Sequence, residues 1–197
     1  MQPVSAPQEG SSLQFHNPFA PCDMNCAATL YIGRYVATPM TDIFTKFNTA
    51  PWNWKTKNST LISGSFSREI VTYGPWFAFE TEFGVGKRFG DLHAVEGWGA
   101  LYFRWKAFPW NDVVRTSVGV STGLNFASKI DAVEDEKSKH DDHMLHYLSP
   151  EVTFGLPSQP NWDLVLRFHH RSGGKLDFFN GNSGGAQYQT IGLRYHW

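Results

Sequence analysis

Eight segments of this chain alternate apolar and polar residues, and this pattern limits the folds that it can adopt. They span roughly 28–37, 60–73, 76–88, 94–107, 113–126, 144–156, 161–171 and 186–197. Alternation with a period of two indicates β-strands with one apolar face. The connections at 74–75, 108–112 and 157–160 are short, that near 89–93 is of medium length, and those at 38–59, 127–143 and 172–185 are long. An even number of strands, joined by short turns on one side and long loops on the other, predicts an eight-stranded antiparallel up-and-down β-barrel.

The same pattern indicates that the barrel is transmembrane. A hydrophobic fraction of 41% and a mean hydropathy of −0.36 would suit a soluble protein. A transmembrane barrel gives similar averages, because its polar lumen offsets its lipid-facing wall. No stretch approaches the roughly 18 apolar residues of a spanning helix. We therefore predict a barrel of the bacterial outer membrane, with both termini on the periplasmic side. A soluble barrel that binds a lipophile is the alternative, and its apolar residues would face inward.

Charged residues on the opposite face of the strands are expected to fill the lumen. This inward set consists of Glu80, Glu82, Glu96, Glu151, Arg104, Lys106, Arg115, Arg167 and Arg194. An eight-stranded lumen is just wide enough to be filled by side chains, so these charges predict a packed ionic plug and not a pore. The net charge of −1 and the scattered basic residues argue against nucleic-acid binding.

Residues 1–27 are predicted to form an N-terminal periplasmic segment that precedes the barrel at 28–197. Met1–Ser12 lacks the basic start and apolar core of an export signal, so the numbering is expected to begin at a processed end. Cys22 and Cys26 are close enough in sequence to form a small disulfide loop in an oxidising compartment. A zinc site would need two further ligands, and redox pairs usually have C-x-x-C spacing.

A histidine and a serine lie two residues apart at the end of the seventh segment. They continue the apolar face of that strand, so His170 and Ser172 are expected on one outward-facing rim. An imidazole there could act as general base on the serine hydroxyl. Antiparallel pairing with the last strand would bring Gln187 or Gln189 near them. Asp177, in the intervening loop, is the other group that could orient the imidazole.

These residues also carry a family resemblance. The run His170-Arg171-Ser172-Gly173-Gly174, a glycine-rich loop and a final alternating strand resemble the outer-membrane lipid A 3-O-deacylases of the PagL type. The resemblance implies an esterase that removes an ester-linked 3-hydroxyacyl chain from lipid A of lipopolysaccharide. It implies His170 as base and Ser172 as nucleophile, without a cofactor. Gln187 stands where the family has its catalytic Glu, and Gly173 where it often has Asn, so the chain would be a divergent or degenerate member.

Two other interpretations remain open. A noncatalytic barrel could use its N-terminal segment and long loops to contact a protein partner or lipopolysaccharide sugars, and the uncharged Gln187 favours that alternative. The loop at 127–143 and the residues just beyond it offer nitrogen and oxygen atoms to a divalent metal. These candidate ligands are His140, Asp141, Asp142, His143 and His146. Their spacing matches no established site, so we expect a solvated acidic loop.

Overall fold

The computed structural model describes residues 12–45, 50–129, 143–173 and 185–197 and confirms a closed antiparallel barrel. The strands are β1 Leu13–Phe15, β2 Cys26–Val36, β3 Thr56–Tyr73, β4 Phe77–Gly90, β5 Val95–Trp105, β6 Arg115–Ala127, β7 Met144–Leu148, β8 Glu151–Gly155, β9 Trp162–Ser172 and β10 Gly185–His196. A short helix, α1, spans Met40–Thr45, and a 3₁₀ turn spans Pro51–Asn53. Within the described ranges, no helix has the length and apolarity needed to span a membrane.

Ten strands occupy eight positions in the ring, since β7 and β8 share one position and β1 lies beside β3 in the position of β2. β10 pairs with β2 from Tyr188 opposite Tyr35 to His196 opposite Ala27, which closes the barrel between its last and first long strands. β7 and β8 share one position, because both pair with β6 on one side and β9 on the other. The single strand predicted at 144–156 is therefore wrong in detail. The break falls at Ser149–Pro150, where proline lacks the N–H that a continuous ladder requires.

The two ends of the barrel differ. The connections 74–76, 106–114 and 156–161 lie at the end where β1 and the C-terminal residue Trp197 lie, which we call the terminal end. The connections after β2, β4, β6 and β9 lie at the opposite, loop end. The connections after β2, β6 and β9 are the long ones predicted from the sequence, whereas the connection after β4, residues 91–94, is shorter than two of those at the terminal end.

The outer wall of the barrel is apolar. Large side chains such as Leu30, Phe83 and Leu193 are exposed on it. Exposed aromatic residues are concentrated near the terminal end: Trp76, Phe79, Phe103, Trp105, Trp110, Trp162, Tyr195 and Trp197. Aromatic residues prefer the interface between membrane and water, so this band is an aromatic girdle. The apolar face points outward, opposite to the orientation expected of a soluble lipophile-binding barrel.

The lumen contains a buried network of charges. Glu151 accepts hydrogen bonds from Arg104 at 2.5 Å and from Arg167 at 2.8 Å, and forms an ion pair with Arg194 at 2.8 Å. Arg167 also donates to Glu82 at 2.6 Å, and its guanidinium lies 4.4 Å from the ring centroid of Tyr31. These side chains are almost fully buried. Because each charge is compensated, the described lumen is the packed plug that the sequence predicted.

Nearer the loop end, a second group of polar side chains continues this plug. Glu96 pairs with Arg88 at 2.5 Å and with His169 at 2.7 Å. The indole of Trp98 donates to Glu82 at 2.7 Å and packs edge-on against His169. Lys106 and Arg115 depart from the prediction, because they lie at the terminal end, half-exposed, where they pair with Glu69 and Asp163. They are therefore outside the central network.

The N-terminal segment folds back on the terminal end. β1 pairs with β3 at Val71–Tyr73, just beyond the part of β3 that pairs with β2, and a bulge between Glu69 and Val71 separates the two parts of β3. Cys22 and Cys26 form a disulfide, as the sequence predicted. The guanidinium of Arg68 donates to the carbonyl oxygens of Pro18 and Ala20 at 2.7 and 2.8 Å. The disulfide and Arg68 together hold this segment against the barrel.

Reducing the disulfide should loosen the N-terminal segment without unfolding the barrel. Closing so short a loop stabilises it by about 2 kcal/mol in the chain-entropy account, which would raise local opening by up to about 30-fold. Phe19 is 93% exposed and offers a chymotrypsin site in this segment. We expect reduction to increase cleavage at Phe19 about tenfold while the heat-modifiable gel mobility of the barrel stays unchanged. Loss of the folded mobility on reduction would show that the disulfide supports the barrel itself.

Candidate functional site

His170 and Ser172 lie at the loop end of β9, on the outer wall of the barrel. They continue the outward row formed by Leu164, Leu166 and Phe168, and both are half-buried. The imidazole Nε2 of His170 lies 2.9 Å from the hydroxyl Oγ of Ser172. A base and a hydroxyl at this distance can exchange a proton directly. The structure thus brings together the pair that the sequence indicated.

Gln187 lies directly opposite His170 on β10, whereas Gln189 lies opposite Phe168. The side-chain amide nitrogen of Gln187 donates to the main-chain carbonyl of Thr38. Because a carbonyl only accepts, the nitrogen must face Thr38. The register places the Gln187 side chain beside the His170 ring on the outer wall. The ring atom Nδ1 is nevertheless buried without a hydrogen bond of good geometry to any described residue. A neutral amide therefore occupies the position from which an acid would orient the imidazole.

The other predicted participants are placed differently. Asp177, His140, Asp141 and Asp142 lie outside the described residues. His143 Nδ1 lies 2.7 Å from the carbonyl oxygen of Ala127. Across the described ranges, no three side chains of the metal-binding types come together.

The sequence reasoning missed a second histidine beside the serine. His146 on β7 is the register partner of Ser172, and its Nε2 lies 2.9 Å from the hydroxyl of Thr122 on β6. The outward parity of Met144, His146 and Leu148 was the available signal. This parity alone could not place His146 beside Ser172, because a long loop separates β6 from β7 and leaves the register of β7 against β9 unspecified in the sequence. Ser172 is thus flanked by imidazoles on its own strand and on the neighbouring strand.

Part of the long connection after β2 packs against the outer wall beside the site. We call this part, residues 38–45 and 50–54, the strap. Ile43 of α1 joins a buried cluster with Val36 and Phe168. The rings of Phe44 and Trp54 meet Phe168 edge-on, with centroids 6.0 and 5.8 Å apart. The strap therefore covers an aromatic side chain of the outward row, next to His170.

A groove of about 960 Å³ runs along the outer wall beneath the strap. Its lower part is lined by apolar side chains of β2, β9 and β10, namely Ile32, Leu166 and Ile191. Its upper part includes Arg34, Thr60 and Gln189. Phe168, Phe44 and Trp54 also line this upper part, so the groove is apolar along its length with a small polar group on one side, as a site for an amphiphile would be.

The fold has counterparts among solved structures. Neisserial surface protein A matches with a TM-score of 0.53 and 11% identity, covering 90% of this chain and 100% of that one. A de novo designed transmembrane β-barrel matches with a TM-score of 0.47, 11% identity and coverage of 93% and 100%. The outer membrane protein OprG from Pseudomonas aeruginosa matches with a TM-score of 0.40, 8% identity and coverage of 88% and 96%.

No protein-family model and no curated protein sequence matches the chain. The structural matches therefore bear on architecture alone. Together with the apolar outer wall and the aromatic girdle, the match to neisserial surface protein A identifies the fold as an eight-stranded transmembrane β-barrel of the kind found in the bacterial outer membrane.

Proposed function

We propose that the chain is an outer-membrane serine esterase that removes an ester-linked 3-hydroxyacyl chain from lipid A. The observation that carries this proposal is the 2.9 Å contact between His170 Nε2 and Ser172 Oγ on the lipid-facing side of β9. Esters of a membrane lipid reach such a position without leaving the bilayer. The resemblance of residues 170–174 to PagL-type deacylases supplies the substrate class.

The chemistry follows from the roles that the two side chains can take. His170 accepts the proton of Ser172 at Nε2 while Oγ attacks the acyl carbonyl. The proton then passes to the departing sugar oxygen, which leaves the acyl group esterified to Ser172. Water, deprotonated by His170, attacks this ester and releases the 3-hydroxy fatty acid, while the serine recovers its proton. Each step conserves charge and needs no cofactor.

Gln187 would assist as a positioning residue. A neutral His170 with Nε2 free to accept carries its proton on Nδ1. The amide nitrogen of Gln187 is committed to Thr38. The amide oxygen remains the atom that could accept a hydrogen bond from Nδ1–H. It carries no full charge, so it would stabilise the imidazolium less than a carboxylate does, and the enzyme would be slow.

A noncatalytic structural or interaction role is the second candidate, and the uncharged Gln187 is the observation that favours it. In that case the outward His170 and Ser172 would simply contact lipid headgroups, and the strap and long loops would contact a partner. This role and the esterase make opposite predictions for the composition of lipid A.

Mass spectrometry of lipid A from outer membranes that carry the chain tests the proposal. We expect lipid A to lose the mass of one hydroxyacyl chain, and Ser172→Ala to return this loss to the background of membranes without the chain. Ser128→Ala is a matched control, since Ser128 is an exposed serine at the loop end whose hydroxyl accepts a hydrogen bond from the Val95 N–H. It should keep full deacylation. All variants must show folded gel mobility, and identical intact spectra would select the noncatalytic role.

A further inference from the structure

One arginine of the lipid-facing wall has no polar partner among the residues that the structure describes. Arg34 projects from β2 in the same outward row as Leu30 and Ile32, and it is exposed. It has no hydrogen bond or ion pair with any residue that the structure describes. The other arginines all have such partners, whether lumenal carboxylates, Asp163 or main-chain carbonyls. Arg34 therefore differs from the other described arginines, and it lies exposed on the outward face of its strand.

Polar groups surround Arg34 at one level of the wall. Gln189 of β10 is its register partner on one side, and Thr60 of β3 is its partner on the other. All three side chains line the upper part of the groove beneath the strap. Below them, Ile32 and Ile191 continue the apolar lining. The groove thus presents a cation and an amide above a channel suited to a hydrocarbon chain.

A guanidinium on this wall that pairs with none of the described residues can bind an anion from outside the chain. Arginine on the lipid face of a barrel costs about 2–4 kcal/mol at the bilayer midplane and about 0–1 kcal/mol near the interfaces. Arg34 lies two positions before the end of β2 at the loop end, so it belongs near the interface. Guanidinium binds phosphate bidentately, which makes a lipid phosphate the complementary group at this depth.

We propose that Arg34, assisted by Gln189, binds a phosphate of lipid A while an acyl chain of the same lipid occupies the groove beneath the strap. The inference rests on the proposed function for its substrate class and names the site that holds that substrate. Arg34 lies two strands away from His170 and level with Phe168, two residues nearer the terminal end. Standard strand spacings put the Cα atoms of Arg34 and His170 about 12 Å apart. A phosphorylated disaccharide can bridge this separation. Phosphate binding at Arg34 would therefore hold the lipid with its ester near Ser172.

Binding can be measured without catalysis by native mass spectrometry of the full chain in detergent, in a Ser172→Ala background. The probes are diphosphorylated lipid A and the same lipid A after removal of its phosphates. We expect Arg34→Gln to weaken binding of the diphosphorylated lipid about tenfold or more, as loss of a charged hydrogen-bonded contact implies. Binding of the dephosphorylated lipid should not change.

Lys87→Gln is the matched control, because Lys87 is also an outward cation but lies over the ring of Phe89, outside the groove. It should change neither affinity by more than about twofold. Equal affinity of Arg34→Gln and its parent for diphosphorylated lipid A would overturn the proposal, as would equal weakening by Lys87→Gln. Complete competition by inorganic phosphate at the lipid's own concentration would assign the site to free phosphate and also overturn it. An inactive esterase would leave all these results interpretable, because none of them depends on turnover.

Discussion

Replacing Gln187 with Glu should increase the rate of ester hydrolysis at least about tenfold. When His170 takes the proton of Ser172 it becomes an imidazolium, which an adjacent carboxylate stabilises and holds in the correct tautomer. Removing that charge from a catalytic triad by an acid-to-amide change lowers kcat about 10⁴-fold, which sets the upper limit of the reverse change. Part of the gain should be lost, because Glu cannot donate to the carbonyl of Thr38 as Gln187 does. The measurement is the initial rate of fatty-acid release from lipid A in mixed micelles.

Gln189→Glu provides the matched control for Gln187→Glu. Gln189 lies on the same face of β10 but opposite Phe168, one outward position away from His170. Gln189→Glu introduces the same negative charge on the same strand, but it places the carboxylate beside Phe168 and not beside the His170 imidazole. We expect no rate increase from it; because its carboxylate would pair with Arg34 in the proposed phosphate site, any change should be a decrease. An equal increase in both variants, or none in Gln187→Glu, would contradict the role assigned to residue 187.

Arg167→Met should destabilise the barrel by about 3–5 kcal/mol. Arg167 pairs with Glu82 at 2.6 Å and with Glu151 at 2.7 Å, and all three side chains are almost completely buried. Removing one partner of a buried ion pair leaves a charge without compensation, and this costs far more than the pair itself contributes. Glu151 keeps Arg104 and Arg194, so the uncompensated charge falls mainly on Glu82. Denaturant unfolding from lipid vesicles, followed by tryptophan fluorescence, measures the loss.

Two further variants define the cause of that loss. Adding Glu82→Gln to Arg167→Met removes the stranded charge and should recover more than half of the stability. Lys106→Met breaks a half-exposed pair with Glu69 and should cost less than about 1 kcal/mol, because exposed ion pairs are weak. If Arg167→Met and Lys106→Met lowered the free energy of unfolding by similar amounts, the burial of the lumenal ion pairs would not be the cause of the loss.

Alternation of side chains predicted most of the fold because two different environments act on the two faces of each strand. β4, β5 and β10 meet lipid on one face and a polar lumen on the other, so their parity is clear in the sequence. The alternation no longer predicts which side chains face outward where a bulge or a proline interrupts the strand pairing. The bulge between Glu69 and Val71 shifts the face of β3, and Pro150 divides the strand predicted at 144–156.

The candidate site was predictable to the extent that it depends on local spacing. His170 and Ser172 share a face because they are two residues apart, and Gln187 follows once β9 and β10 pair. His146 and the strap depend on contacts between residues far apart in the chain. The packing of Ile43 on Phe168 leaves no periodic trace in the segment 38–59, which alternation could predict only as a loop.

The closure of the ring between β10 and β2 has a consequence for how the site is assembled. Gln187 belongs to the last strand, whereas Thr38, whose main-chain carbonyl accepts a hydrogen bond from the Gln187 amide, follows the first long strand. The strap also follows β2 and packs on Phe168 of the penultimate strand. These contacts cannot form in a chain that has inserted only some of its strands. The groups that position and cover the pair are thus added only when the barrel is sealed, so an immature barrel can hold His170 and Ser172 on one strand without the contact of Gln187 with Thr38 and without the strap.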